Sequence, residues 1–273
     1  MKRFFLFSGL LVLFCLMFSC KSNSTTPTPK TPTTTAITVN SSSDLIYIGV
    51  SEAFTATMIM SDGTTKVVTA GVWSTDANNV ATVNSSTGNV TCVGSGNVDI
   101  IVNYQGVQGV KRIRGLPNYQ GTWSGSYYIV SCSDSGRVSG SCSSFPINNV
   151  FPCDLNLVQT HDAVTGSFYL GTLSASASGP VSTDGTLLLT GTISSAPWTV
   201  DVSWTMASKT AGNITGSLSE IWMAAGYSGD VRISATIRDL NRTSTMAGMR
   251  MNFGSPQGLN RTVQSLVRAM IGR

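Results

Sequence analysis

The chain has 273 residues, a formal net charge of +4, 11% charged residues and 41% hydrophobic ones. Lys2 and Arg3 precede a greasy N-terminal run, and four arginines (Arg250, Arg261, Arg268, Arg273) lie in an acid-free C-terminal stretch, so the body from Lys21 to Ser244 carries 11 basic against 13 acidic residues. That balance excludes a basic groove, and with it nucleic acid as a partner. The apolar residues come in short alternating runs between Gly, Ser and Asp turns, which is how small antiparallel β domains read.

The N-terminus reads as an export signal. Two positive charges, an apolar run from Phe4 to Phe18 and a small residue, Ser19, stand before Cys20. The run is shorter than the roughly 20 residues needed to span a bilayer core. Leu16-Met17-Phe18-Ser19-Cys20 resembles the lipobox of bacterial lipoproteins. That resemblance implies cleavage before Cys20, diacylation of its thiol (a palmitate-type modification) and anchoring to a membrane by lipid. Each buried methylene adds about 0.8 kcal/mol, so two or three chains hold firmly. Lys21 in place of an Asp implies the outer membrane in a diderm cell. Residues 1–19 are then the signal peptide.

Residues 20–35 form a tether. Its Lys21-to-Thr35 stretch, KSNSTTPTPKTPTTT, has nothing apolar to bury and prolines that keep it extended. From Ala36 the pattern alternates: Ile37/Val39, Leu45 to Ile48, Phe54/Ala56/Met58, the Asp62-Gly63 turn, Val72 to Asp76, Val80 to Val83, then Val98/Ile100/Val102. Six or seven short strands at this spacing predict a sandwich. The ordered set Gly49, Asp62-Gly63-Thr64, Val72-Trp73-Ser74-Thr75-Asp76, Val80-Ala81-Thr82-Val83, Gly88 and Gly96 resembles bacterial Ig-like group 2 (BIG2) domains, over residues 36–115. Such modules serve as spacers, stalks or binding accessories on surface proteins. Trp73 invites sugar stacking, but a sandwich core tryptophan is the expected role. Cys92 sits where the family has a small residue and is expected as a buried thiol.

Residues 117–242 are again β on a different plan, with eight candidate strands joined mostly by hairpin-length turns. Val200/Val202/Trp204/Met206 and Val231/Ile233/Ala235/Ile237 alternate with polar neighbours, one apolar and one wet face per strand. Eight such strands can close into an up-and-down barrel, which removes exposed edges. Gly121-Thr122-Trp123 resembles the start of lipocalin- and avidin-type barrels. Interior candidates are Trp123, Tyr127, Leu157, Phe168, Leu189, Val202, Trp204, Leu218, Trp222 and Ile233, either as plain core or as an apolar pocket in which Trp204, Trp222 and Tyr127 touch a ligand. Gly125, Gly166, Gly191 and Gly216 are expected to permit sharp coiling.

Export permits disulfides. Cys132, Cys142 and Cys153 cluster, and the expected bridge is Cys132–Cys153, clamping the ends of a Ser/Gly-rich loop, with Cys142 free or paired to Cys92. A single histidine and no Cys-x-x-Cys pair argue against a metal site. Residues 243–273 form a tail in which Ser255-Pro256 starts a helix with one apolar face.

Catalytic signals are thin. His161 and Asp162 share a turn, Glu52 and Glu220 are far apart in sequence, and no nucleophile elbow, phosphate loop or dinucleotide fingerprint occurs. The expectation is therefore an all-β protein: an Ig-like sandwich, then an eight-stranded antiparallel barrel-like domain and a short C-terminal helix. No enzyme activity and no cofactor are expected. The predicted role is a lipid-anchored envelope protein presenting an Ig-like module for adhesion, assembly, or protein or carbohydrate binding. The alternative is a small apolar ligand carrier, and behind it an uncharacterised hydrolase. Partners are the membrane, through the lipid, and a cell-surface protein or glycan.

Overall fold

The structure, a computed structural model, describes residues 30–170, 173–210 and 212–243. Cys20, the signal and the predicted tail helix lie outside the described residues. The first module is built from short strands: β1 Thr34–Asn40, β2 Leu45–Tyr47, β3 Ser51–Ala53, β4 Thr55–Met60, β5 Thr65–Val67, β6 Val72–Thr75, β7 Ala81–Val83, β8 Asn89–Cys92, β9 Gly96–Tyr104 and β10 Val107–Leu116. They form three small sheets ordered β1-β4-β5, β2-β10-β9-β6 and β3-β8-β7. The six or seven strands expected from the sequence are cut into more pieces because Gly and Asn turns interrupt the ladders every few residues. Every pairing in this module is antiparallel except β2 with β10.

Alternation decides what is inside. Phe54, Ala56, Trp73, Val90, Ile100 and Val102 point inward and are buried. Trp73 is thus core, not a sugar platform, and its indole lies across Gly88. A Cβ at Gly88 would stand 2.7 Å from the ring, and the backbone there has φ +71°, so this turn requires glycine twice over. At the Asp62-Gly63 turn, the Asp62 carboxylate accepts from the backbone N–H and hydroxyl of Thr64. These bonds hold the Asp62 pKa below its usual value.

The second module is a closed antiparallel barrel of β11 Gly121–Asp134, β12 Val150–Thr160, β13 Ala163–Leu170, β14 Leu173–Pro180, β15 Leu187–Ser195, β16 Trp198–Thr210, β17 Asn213–Ala224 and β18 Asp230–Thr243, in sequence order. Closure comes from β11 pairing with β18 as well as β12, for example Tyr127 opposite Ile237 and Phe151. All ten expected interior residues belong to its buried core. Gly125, Gly166, Gly191 and Gly216 have no room for a Cβ: it would run into the backbone of Asp239, Asn156, Ser176 and Thr205 respectively. Strands coil that tightly only where the side chain is missing.

The outer wall is a hydroxyl surface. Thr165, Ser178, Thr190, Ser203, Ser219 and Ser234 stand side by side on six successive strands, each paired to the next except that β14 and β15 share only this one ladder position. All six are exposed. A wet outer face is what lets the inward face be almost wholly apolar.

The two modules meet at one end of the barrel. β10 runs on to Leu116, which is buried in the barrel core, and Leu45 and Tyr47 pack against the same core. Tyr119 plugs this end: its hydroxyl donates to the Gly185 carbonyl at 2.7 Å and accepts from the Ser208 N–H at 3.1 Å, while its own carbonyl accepts from the Trp123 indole at 2.8 Å. Burial pushes the Tyr119 hydroxyl up to about 12. Gln159, also buried, accepts from the Tyr119 N–H and donates to the carbonyls of Pro117 and His161. Arg114 crosses the joint, reaching Asp162 at 3.0 Å and the Val181 carbonyl at 2.7 Å.

Candidate functional site

The far end of the barrel is closed by the connection between β11 and β12. It holds two 3-10 turns, Gly136–Val138 and Ser141–Ser144, and drops Val138 and Phe145 into the barrel core. Its fixings are polar and local. Ser135 bonds Asp230 at 3.0 Å, the Arg137 N–H donates to Ser228 at 2.8 Å, and the Asp134 carboxylate accepts from the Cys142 N–H at 2.8 Å.

A disulfide completes the lid, and it corrects the expected pairing. Cys132 is bonded to Cys142, with a Cα–Cα distance of 5.7 Å, not to Cys153. Strand register explains why. Cys153 lies opposite Gly125 on β11, seven positions from Cys132; at roughly 3.3 Å per residue that is more than about 20 Å, far beyond the ~7 Å a bridge allows. β11 continues past its last partner on β12, so the loop, not the strand, returns to meet Cys132. Cys153 is instead a buried inward-facing thiol, its pKa raised well above the usual range by burial. Cys92 is a buried free thiol in the first module, so it does not pair with Cys142 either.

Beneath the lid, the Phe145 ring lies 5.6 Å from Trp222, and Trp222 lies edge-on to Trp198 at 6.0 Å. The Trp222 indole N–H donates to Glu220 Oε2 at 2.8 Å. The Tyr127 hydroxyl also acts on this carboxyl. Glu220 is 1% exposed, and burial raises its pKa while the bonds from Trp222 and Tyr127 hold it back. Burial also keeps Tyr127 well above the usual tyrosine range, with Glu220 adding to the effect.

Not every polar atom in this interior is satisfied. Glu220 Oε1 and the indole nitrogens of Trp198 and Trp204 are buried without a hydrogen-bond partner. Such atoms are uncommon inside proteins, because each one forfeits its bond to water with nothing in return. Register spreads them along the wall: Glu220 faces Val202 on β16, Trp204 is the next inward residue towards the joint, and Trp198 lies beyond Val200 towards the lid, about 20 Å along the strand from Trp204.

The three residues expected to touch a ligand thus share one interior. Trp222 bonds Glu220, Tyr127 acts on the same carboxyl, and Trp204 packs edge-on against Phe168 at 5.7 Å. Trp204 and Trp222 are 1% and 4% exposed, so the interior does not open directly to solvent past either of them. Glu220 itself was missed as an interior residue. Its signal was present: it falls between Leu218 and Trp222 on the apolar side of β17, so its inward direction follows from period-two alternation. The other candidate acids and the histidine do not gather. Glu52 sits in the first module, its carboxylate taken by Ser42. His161 occupies an exposed turn at φ 58°, and its neighbour Asp162 pairs with Arg114.

On the outer wall, Thr190, Thr192, Asp201, Ser203 and Ile221 line a hollow of about 310 Å³. Thr192 donates to Asp201 at 2.8 Å there.

Comparison with known proteins settles the first module. Residues 33–113 match the bacterial Ig-like domain (group 2). This Ig-like domain is followed directly by the closed eight-stranded barrel. No curated protein matches the chain. Among solved structures, domains 5–6 of the S-layer protein SbsC are similar at 17% identity, covering 75% of this chain and 98% of that one, with a TM-score of 0.28. A fatty acid transporter is similar at 10% identity over 46% of this chain and 96% of its own, with a TM-score of 0.17. A protein of unknown function from Nostoc punctiforme is similar at 6% identity over 75% and 94%, with a TM-score of 0.21. Superpositions this loose carry no argument about what the chain binds.

Proposed function

We propose that this chain is a lipid-anchored protein of the bacterial cell envelope, held by Cys20 at the outer membrane, that presents its Ig-like module for adhesion or assembly. The observation that carries the reading is the group 2 Ig-like match at residues 33–113, placed directly after a Ser/Thr/Pro tether and the Leu16-to-Cys20 lipobox. Its partner is a cell-surface protein or glycan. A glycan is supported by the exposed hydroxyl row of the barrel and the Asp201 hollow beside it. In this reading the chain acts by binding; Glu52 and Glu220 stand in different modules.

The test is mass spectrometry of the mature N-terminus with and without globomycin. The reading expects acylated Cys20 as residue one, accumulation of the full-length precursor with the drug, and release of Cys20→Ser protein from membranes. An unmodified mature N-terminus would overturn it.

A second reading, a small-ligand carrier, has its own support: an enclosed barrel interior that holds unpartnered polar atoms beneath a lid. In this reading the ligand reaches Trp222 by displacing Phe145, since both ends of the barrel are closed in the structure described above.

A further inference from the structure

We infer that the outer wall of the barrel at β11 and β12 is the seat of the chain's own C-terminal segment, residues 255–273, whose apolar side covers an exposed apolar patch there. The patch gathers on a wall that is otherwise polar. Val130, Ile147 and Val150 are 48%, 62% and 65% exposed. Val150 pairs with Tyr128, the Asn148 N–H donates to the Ile129 carbonyl at 2.9 Å, and the Ile129 N–H donates to the Asn149 carbonyl at 3.1 Å. The three apolar residues therefore sit on adjoining stretches of backbone, and Pro152, also exposed, extends the patch along β12. Elsewhere on the strands Val158, Leu188 and Met223 are exposed singly, opposite Thr165, Thr205 and Thr199. Apolar surface collected in one place on a polar wall marks a contact.

The C-terminal segment carries the complementary pattern in its sequence. Leu259, Val263, Leu266, Val267, Met270 and Ile271 recur at helical spacing, and Arg261, Arg268 and Arg273 have no acid within the segment to pair with. On the wall, Asp154 is the next outward position after Pro152 on β12. It forms no ion pair with any described residue. An arginine flanking the apolar stripe meets that carboxylate at the edge of the patch.

The connection is long enough. Thr243 lies opposite Thr122, and Val150 lies opposite Tyr128, six positions further along β11 and about 20 Å along the wall. The 12 residues from Ser244 to Ser255 span up to about 40 Å when extended. A helix over 255–271 is about 25 Å long, enough to cover the patch and to pass Asp154. A bilayer or a second copy would also cover apolar residues, but the intramolecular seat alone follows from where β18 ends and gives the arginines an acid within reach.

The test uses residues 20–273 with Cys20→Ser, and follows modification of Val150→Cys by a maleimide. The new thiol should react about tenfold or more slowly in that chain than in one ending at Ser244, because it is reached only when the segment lifts. Leu266→Asp, which puts a charge on the apolar stripe at full length, should restore the fast rate and decides the matter if the shortened chain does not fold. Val158→Cys, on the same strand but away from the patch, should react equally fast with and without the segment. Equal rates for Val150→Cys in the parent and the Leu266→Asp chain overturn the inference. Protection that rises with protein concentration assigns the patch to a second copy, and protection seen only with phosphatidylglycerol vesicles assigns it to lipid. Either result overturns the intramolecular seat.

Discussion

A carboxyl group on the inward face of β17 gives the barrel a pH signature. The folded pKa of Glu220 lies above that of an unfolded-chain glutamate, about 4.3. The folded state therefore holds its proton to higher pH than the unfolded state does. Stability from this residue is fully present below the unfolded value and falls as pH rises through the folded one. Denaturant midpoints measured from pH 4 to pH 9 should show that decline, and Glu220→Gln should flatten it. No change of slope in the variant would mean that Glu220 titrates equally in both states. The sequence placed this acid on the apolar side of an alternating strand, so its burial was readable. Its orphan oxygen was not, because which atoms lack partners depends on the curvature and shear of the closed barrel.

At the level of elements, the lid and the Ig-like turns carry the sharpest tests. The bridge between Cys132 and Cys142 closes a sequence separation of 10. The loop entropy it removes from the unfolded chain corresponds to about 3 kcal/mol. Cys142→Ser should lower barrel stability by about that amount in chemical denaturation, and should speed proteolytic nicking between Ser135 and Asn149. In the first module, Gly88→Ala should cost about 2 kcal/mol or more, since the new methyl meets the Trp73 ring and the backbone is left-handed there. A midpoint unchanged by this substitution would mean that the turn relaxes freely.

The strands themselves were largely legible: alternation marks both faces of β16 and β18, and Asp62-Gly63 marks its turn. Pairing across the lid was not legible. Sequence spacing made Cys132 and Cys153 look like the two ends of one loop. In the fold, β11 overshoots its partner strand, and only knowledge of that overshoot moves the bridge to Cys142.

Across the whole molecule, the joint makes two modules behave as one body. Tyr119 is buried at the barrel mouth, and Arg114 reaches over from the Ig-like module to Asp162 and Val181. Tyr119→Ala removes a plug and several hydrogen bonds together. It should lower the barrel's melting temperature and split one calorimetric transition into two, as the Ig-like module stops reporting the barrel's unfolding. Arg114→Ala is milder, because Asp162 is half exposed and its ion pair is screened. It should leave each module's stability nearly unchanged while making the Leu116-to-Gln120 segment easier to cleave.

Closure of β18 on β11 has one more consequence, and it is topological. Thr243 lies opposite Thr122 and donates to its carbonyl at 3.2 Å, so the polypeptide leaves the barrel beside the point where it came in. The barrel is therefore a closed excursion whose two termini adjoin, the arrangement that tolerates circular permutation and insertion between other segments. New termini opened at the exposed His161-Asp162 turn, with a short linker joining Thr243 to Gly121, should give a permutant with the same sheet. Thr243 thus stands at the joint end of the barrel, with the lid at the opposite pole.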